Sequence, residues 1–380
     1  MAYFLHNILM MKNKIIKTIS NPKIFVFTII WLMVLVFFGT IEQKDIGLFE
    51  SQKKYFTSLI LWVYNIPLPG GLLTMSILSV NLFSFFLKPN SWRKNKIGIL
   101  TVHAGALILL IGSAITNVFS IEGNMVIVED EKSNYMHSFY YKEFTVLNLD
   151  EYKDSIEVIN FNEQLLKEKE FLSYNKLPFK IEVIDFYLNS KLEKRVNDSL
   201  SPLRGDAINL ELREKYPNTE MNKNISGITY KIISEDENIN GYYIYQLEQR
   251  RPEIITINNM DYALLLRPVR TYLPFEIELL DFDKVMHPGT QIAKSFSSNV
   301  FLNENETSRR VLIEMNAPLR HKGYTLYQAS YAELGDGREA TVLAVVQNYG
   351  RLFPYISSII MCIGVLLQMI IRIPGLLKND

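Results

Sequence analysis

The chain has 380 residues with 40 basic and 40 acidic side chains, so its formal charge is zero. Nucleic-acid binding demands a basic excess, and this balance argues against such a partner. The single cysteine, Cys362, lies in an apolar run without a second thiol or a CxxC, which excludes a disulfide framework, thiol redox work or a cysteine-based zinc site within this chain.

Taken in order, positions 1–23 read as a cytoplasmic N-terminus carrying Lys12, Lys14, Lys17 and Lys23. The first apolar run, IFVFTIIWLMVLVFFGT at 24–40, has about the length needed to cross a bilayer core of roughly 30 Å. A cleaved signal peptide is the alternative for this run, but it lacks an Ala-x-Ala-like site and Glu42, Gln43 and Lys44 follow directly. An uncleaved anchor is therefore expected. The segment GLFESQKKYFTSLILWVYN mixes charges with aromatic and aliphatic residues, which predicts an interfacial amphipathic helix near 48–65, with a re-entrant stretch or plain loop as the alternative. Pro67, Pro69, Gly70 and Gly71 punctuate the chain before the second apolar run, 70–87.

The third run occupies 97–119 and the fourth 353–371. Buried core helices would be the alternative, but three of these runs are nearly free of charge over a span-sized length. Within 24–119, then, three transmembrane helices are expected, and 351–380 holds a fourth with a cytoplasmic tail. Lys88, Arg93, Lys94 and Lys96 fill the short link between the second and third runs, and Arg372 and Lys378 follow the fourth. The positive-inside rule then puts both termini in the cytoplasm and 120–350 outside.

Strand signals dominate from about position 124: MVIVE, EFTVLNL, FKIEVIDFYL, ITYKII, GYYIYQL, YALLLRPV, FEIELLDF, YTLYQASY and ATVLAVVQ are β-branched and aromatic runs bounded by turn residues. The stretch 151–172 is expected to contain a short helix, and 189–224 reads as a loop or excursion. LPFKIEVIDF at 177–186 recurs as LPFEIELLDF at 273–282. The repeat predicts two related β-sandwich or barrel-like units, roughly 124–265 and 266–348. The fold class expected is therefore an α+β membrane protein: four transmembrane helices and a large β-rich extracytoplasmic domain.

The outer region has no HExxH, no GxSxG, no phosphate loop and no convincing triad, so an extracytoplasmic hydrolase is disfavoured. Its histidines, His137, His287 and His321, lack metal-ligand spacing and each reads as structural or solvated. His103 differs. It lies about six residues, or roughly 9 Å, into the third run, where an ionisable group is costly and faces a bundle interior or cavity. Helical spacing puts Leu107, Leu110, Ala114 and Asn117 on its face, and Ala104, Gly105, Gly112 and Ser113 would permit close helix approach. A neutral imidazole there can bond a neighbouring helix, relay a proton or ligate a metal such as haem iron; residue type alone leaves these open. No other histidine lies in a span, so a second axial ligand is not found in this chain's apolar runs.

Five strings, in order along nearly the whole chain, resemble the ResB family (also called CcsB) of System II cytochrome c maturation. They are GTIEQKDIGLFESQKKYF at 39–56, IPLPGGLLTMSILSVNLF at 66–83, GILTVHAGALILLIGSAITNVFSIEGNMVIVEDE at 98–131, LPFEIELLDFDKVMHPGT at 273–290 and NAPLRHKGYTLYQASY at 316–331. The resemblance implies a bacterial inner-membrane protein working with a CcsA-type, tryptophan-rich multi-span partner. Together they would carry haem across the membrane and attach it to the CxxCH thiols of apocytochrome c. The family's third-span histidine, an axial ligand to haem iron within the membrane, falls on His103. The external haem histidines and tryptophan-rich segment belong to the partner, so the chain would be a subunit of a holocytochrome c synthase and not self-sufficient. A separate thiol-reducing system is implied for the substrate cysteines. Gln368, polar within the fourth run, receives no role from the resemblance. The competing reading is a membrane-anchored binding module or chaperone for exported proteins without haem; a transporter or sensor has less to support it.

Overall fold

The computed structural model describes residues 10–11, 14–149, 156–196, 200–249, 251–290, 293–335 and 337–376. Lys12 and Lys378, used above for orientation, lie outside the described residues, as does the start of the 151–172 stretch. The chain divides into two compact units, Met1–Ile121 with Val346–Asp380, and Glu122–Val345.

In the first unit, Asn21 caps α1 (Pro22–Tyr55): its side chain accepts from the Lys23 N–H at 3.0 Å, and Pro22 stands where a helix needs no N–H. Gly47 interrupts α1 with φ 82°, a conformation only glycine adopts cheaply. The limb beyond it doubles back, since Ser51 Oγ donates to the Gly39 carbonyl at 2.5 Å. A straight helix would hold residues twelve apart about 18 Å from each other. A β-hairpin follows, β1 (Ile60–Val63) and β2 (Ile66–Pro69), closed by Tyr64 and Asn65, both at positive φ as a two-residue type I′ turn requires. Trp31 Nε1 donates to the Pro69 carbonyl at 2.8 Å and ties the hairpin to α1. The single interfacial helix expected near 48–65 is thus replaced by a short return limb and a hairpin. The β-branched and aromatic Ile60, Trp62 and Val63, with a turn pair behind them, favour extended backbone over helix.

Among the described residues three helices are long and apolar enough to cross a membrane: Pro22–Tyr55, Lys94–Phe119 and Phe353–Ile373. The second expected span forms the shorter α2 (Gly71–Phe86), whose 16 residues extend about 24 Å. Asn81 of α2 donates to the carbonyls of Ile19 and Asn21, at 2.6 and 3.1 Å, and so holds the start of α1. α3 (Ile97–Phe119) packs tightly on the chain's last helix (Phe353–Leu376) through glycines seven residues apart. A Cβ on Gly98, Gly105 or Gly112 would lie 2.4 Å from Gln368 N, 2.6 Å from Met361 Cγ or 2.2 Å from Phe353 Cβ. The close approach was expected from Gly105 and Gly112, whereas Ser113 is exposed. Gly98 and the seven-residue stripe went unnoticed in the sequence.

The second unit is built on antiparallel strands. One sheet contains β3 (Ile121–Val128), β4 (Lys132–Asn148), β5 (Glu157–Asn162), β12 (Glu253–Ile257), β13 (Met260–Met286), β14 (Ala293–Glu304) and β15 (Thr307–Glu314). It continues through β16 (Leu319–His321), β17 (Tyr324–Glu333) and β18 (Glu339–Gln347), in the order β15-β14-β13-β4-β3-β18-β17-β16, with β5 on β4 and β12 on β13. A second sheet runs β11-β10-β7-β6, from β6 (Phe171–Leu172), β7 (Phe179–Tyr187), β10 (Gly227–Ser234) and β11 (Gly241–Gln246). The short helix foreseen in 151–172 is α4 (Glu163–Lys167), capped by Asn162, and the excursion at 189–224 holds a hairpin of β8 (Ser190–Lys194) and β9 (Leu210–Glu214). The last helix, Phe353–Leu376, is α5.

Two large hydrophobic clusters fill most of this unit, beside a smaller one of Ala207, Leu212 and Ile244. Phe144, Ile181, Tyr230 and Leu264 belong to one large cluster, and Met125, Ile277, Val300 and Leu326 to the other. Burying a side chain such as Ile181 or Ile277 contributes roughly 1.5–3 kcal/mol. The expected boundary near 265/266 falls inside β13, which runs unbroken and supplies both clusters, as does β4. Met125 and Met136, placed by sequence in the first unit, pack in the second cluster. The runs YALLLRPV and FEIELLDF, separate in the sequence reading, are one strand; Pro268 and Pro274 both sit at or within breaks in its register with β4, where a missing N–H is tolerated.

The repeat itself holds in structural detail. Phe179, Ile181 and Val183 are buried at the positions equivalent to Phe275, Ile277 and Leu279. Each copy also skips one residue in pairing with its neighbour, Ile184 against β10 and Leu280 against β14, the same position of the repeat.

Candidate functional site

His103 sits in the second turn of α3, half-buried. Its Nδ1 lies 2.8 Å from the Ile99 carbonyl oxygen. A carbonyl can only accept, so Nδ1 carries the proton and the lone pair of the neutral ring resides on Nε2. Phe85 of α2 stacks on the imidazole, with ring centroids 4.2 Å apart and planes 20° apart. A hydrogen bond along one edge and an aromatic face on one side fix both tautomer and ring plane.

A cleft of ≈ 440 Å³ opens beside the ring between α3 and α5. That volume is within the roughly 300–1,000 Å³ typical of small-molecule and cofactor sites. Val102, Val365, Met369 and Ile373 make most of its wall apolar, and Gln368 and Arg372 are its other polar side chains. Gln368 is committed to the backbone: its Oε1 accepts from the Ile99 N–H at 3.2 Å, and its Nε2 donates to the Asn95 carbonyl at 3.3 Å. It therefore satisfies an otherwise orphaned donor in the first turn of α3. Sequence reasoning singled out Gln368 and found no role for it; a polar side chain in an apolar run is the signal that it faces another helix. Of the residues expected on the histidine's face, Leu107 and Leu110 are half-buried, while Ala114 and Asn117 are exposed.

The donor set suits one ligand class. A single neutral nitrogen in an apolar cleft is a poor site for a bare cation, which needs several ligands. Among the described residues no group of three or more His, Cys, Asp or Glu gathers to supply them. The same arrangement fits haem, whose macrocycle provides four ligands of its own and whose body is apolar. His103 would supply one axial bond.

The histidines of the β-rich unit occupy different settings. His137, on β4, lies opposite Arg270 of β13. Burial, then the charge of Arg270, push its pKa down to about 4, and its Nδ1 is buried without a hydrogen-bond partner. Arg270 stacks over Tyr135, its Cζ 4.4 Å from the ring centroid. His321 Nε2 lies 2.8 Å from Glu304 Oε2, and Lys322 pairs with the same carboxylate. Hydrogen bonds from Lys322 and His321 hold the Glu304 pKa below the usual carboxylate range. His287 is exposed in the turn after β13. Among the described residues none of the three belongs to a group of His, Cys, Asp or Glu that could hold a metal ion.

Residues 241–338 match the model of the ResB-like family. The matched stretch runs from β11 to just before β18 and contains LPFEIELLDFDKVMHPGT and NAPLRHKGYTLYQASY, two of the strings that carry the resemblance. His103 lies outside it. No curated protein matches the chain.

Proposed function

Because this membrane-anchored chain carries a ResB-like domain, and that family is associated with cytochrome c biogenesis, we propose that it is a subunit of a System II cytochrome c synthase. In this reading it works with a CcsA-type, tryptophan-rich membrane partner to carry haem across the bacterial inner membrane and deliver it to apocytochrome c. The short helix α2 counts as a fourth crossing, both termini face the cytoplasm, and Glu122–Val345 lies outside. The loop charges at Lys88, Arg93, Lys94, Lys96 and Arg372 support that orientation.

One observation carries the haem part: the Nδ1–Ile99 hydrogen bond leaves the His103 Nε2 lone pair beside an apolar, cofactor-sized cleft. His103 would hold the iron together with a histidine of the partner. Haem brings the vinyl groups that become thioethers on the CxxCH thiols. This chain contributes the ligand, an apolar wall that excludes water, and a platform for the substrate. Its β-rich unit would hold apocytochrome c near the partner, by strand addition or surface capture. Reduced substrate cysteines must come from a separate thiol-reducing system, since Cys362 has no second cysteine in this chain.

The test is the visible spectrum of the chain purified with its partner, beside cytochrome c maturation in cells. His103→Ala should remove most of the Soret band and maturation together while the complex still assembles. Haem-free complex from haem-replete cells, with maturation untouched by His103→Ala, favours the membrane-anchored chaperone without haem.

A further inference from the structure

The cleft beside His103 contains a charge that iron ligation does not use. Arg372 of α5 lines it, one helical turn beyond Gln368 and on the same face. Gln368 is spent on the backbone of α3. Arg372 is in none of the ion pairs among the described residues. The rest of the wall is apolar apart from the imidazole.

The two polar groups stand at different heights. Gly98 packs against Gln368, and Gly364 against Val102, so the helices run antiparallel with Gln368 level with the start of α3. From that level His103 lies five residues in one direction and Arg372 four in the other, roughly 13 Å apart along the axes before either side chain reaches inward. A ligand bridging them needs a metal at one end, an apolar body, and an anion at the other.

We propose that Arg372 is the carboxylate-binding residue of this cleft: it grips the carboxylate edge of the haem whose iron His103 holds. This rests on the haem reading above. It adds a direction, with the carboxylate edge toward the start of α3 and the end of α5. Guanidinium is suited to the task because its planar fork takes a carboxylate in two parallel hydrogen bonds. An arginine at this end of a span can instead reach a lipid phosphate, and the two anions are separable by experiment.

The full chain in uncharged detergent is titrated with haem and with haem dimethyl ester, followed at the Soret band, for wild type, Arg372→Gln, Arg372→Lys and His103→Ala. Wild type should bind haem roughly ten- to a hundredfold more tightly than the ester, the range of a charge-assisted pair. Arg372→Gln should erase that preference by weakening haem alone, with the band position unchanged, and Arg372→Lys should retain part of it. If Arg372→Gln weakens haem and ester equally, or only when anionic phospholipid is added, the residue acts through packing or lipid and the inference fails. It fails also if the preference survives Arg372→Gln. A band from either ligand that depends on His103 keeps the haem reading intact in those cases. Absence of any His103-dependent band overturns that reading and the inference together.

Discussion

His137 and His103 are both half-buried imidazoles, yet their surroundings ask different things of them. At His137 burial does most to disfavour the charged ring, and the neighbouring charges, Arg270 across the ladder and Arg267 beyond it, are cationic and add to it. The hydrogen bond with the Pro268 backbone works the other way and does not win. Between the ordinary histidine value near 6.5 and about 4, the unfolded chain takes up a proton that the folded chain refuses. Acidification through that window should therefore lower stability, and above it the group should have no influence. Thermal unfolding of the full chain in detergent from pH 7.5 to 4.5 should show a drop that His137→Phe reduces; equal pH slopes in the two proteins would contradict this. A histidine's neighbours across a sheet cannot be read from spacing, so the sequence offered only a structural or solvated residue here. At His103 depth in an apolar run was legible, whereas the Ile99 bond that sets its tautomer, and Phe85 that flattens one face, became visible only in the folded helices.

Among the elements, β4 and β13 do most to unite the β-rich unit, and a buried ion pair joins them. Arg267 Nε donates to Glu143 Oε1 at 2.8 Å, the side chains 8% and 6% exposed, and Arg267 Nη2 reaches Asn160 Oδ1 at 3.3 Å. Such a pair adds little net stability over an apolar pair of the same size, but removing one partner strands the other charge. Glu143→Gln should cost about 3–5 kcal/mol, and the double change Glu143→Leu with Arg267→Met should recover most of it. Denaturant unfolding measures both; a single variant within about 0.5 kcal/mol of wild type would refute the assignment. At this scale the strand runs and the repeat were legible, because alternating burial leaves its mark every second residue. Two features were not. YALLLRPV and FEIELLDF read as two strands where the chain forms one, and the register breaks that accommodate Pro268 and Pro274 depend on β4. Gly47 turned α1 back on itself, and a single glycine in a long helical run does not announce so sharp a reversal.

For the whole molecule, the three long apolar helices and the large β-rich unit were foreseeable from composition alone, since a bilayer and a β-core select for different residue patterns. The shared core strands were less so, because contacts between β4 and β13 join residues more than a hundred positions apart. Function divides along the same line. The family match lies in the β-rich unit, at 241–338, while His103, beside the apolar cleft, lies in an apolar helix. If the chain binds haem as proposed, His103 Nε2 bonds the iron and is not merely a polar contact between helices. The complex with its partner, carrying His103→Gly, tests this when its spectrum is recorded before and after adding free imidazole. The glycine variant should lose the wild-type Soret band, and imidazole, entering the vacated space, should restore it. A glycine variant with an unchanged band, or one that folds and takes up haem without responding to imidazole, would contradict that bond.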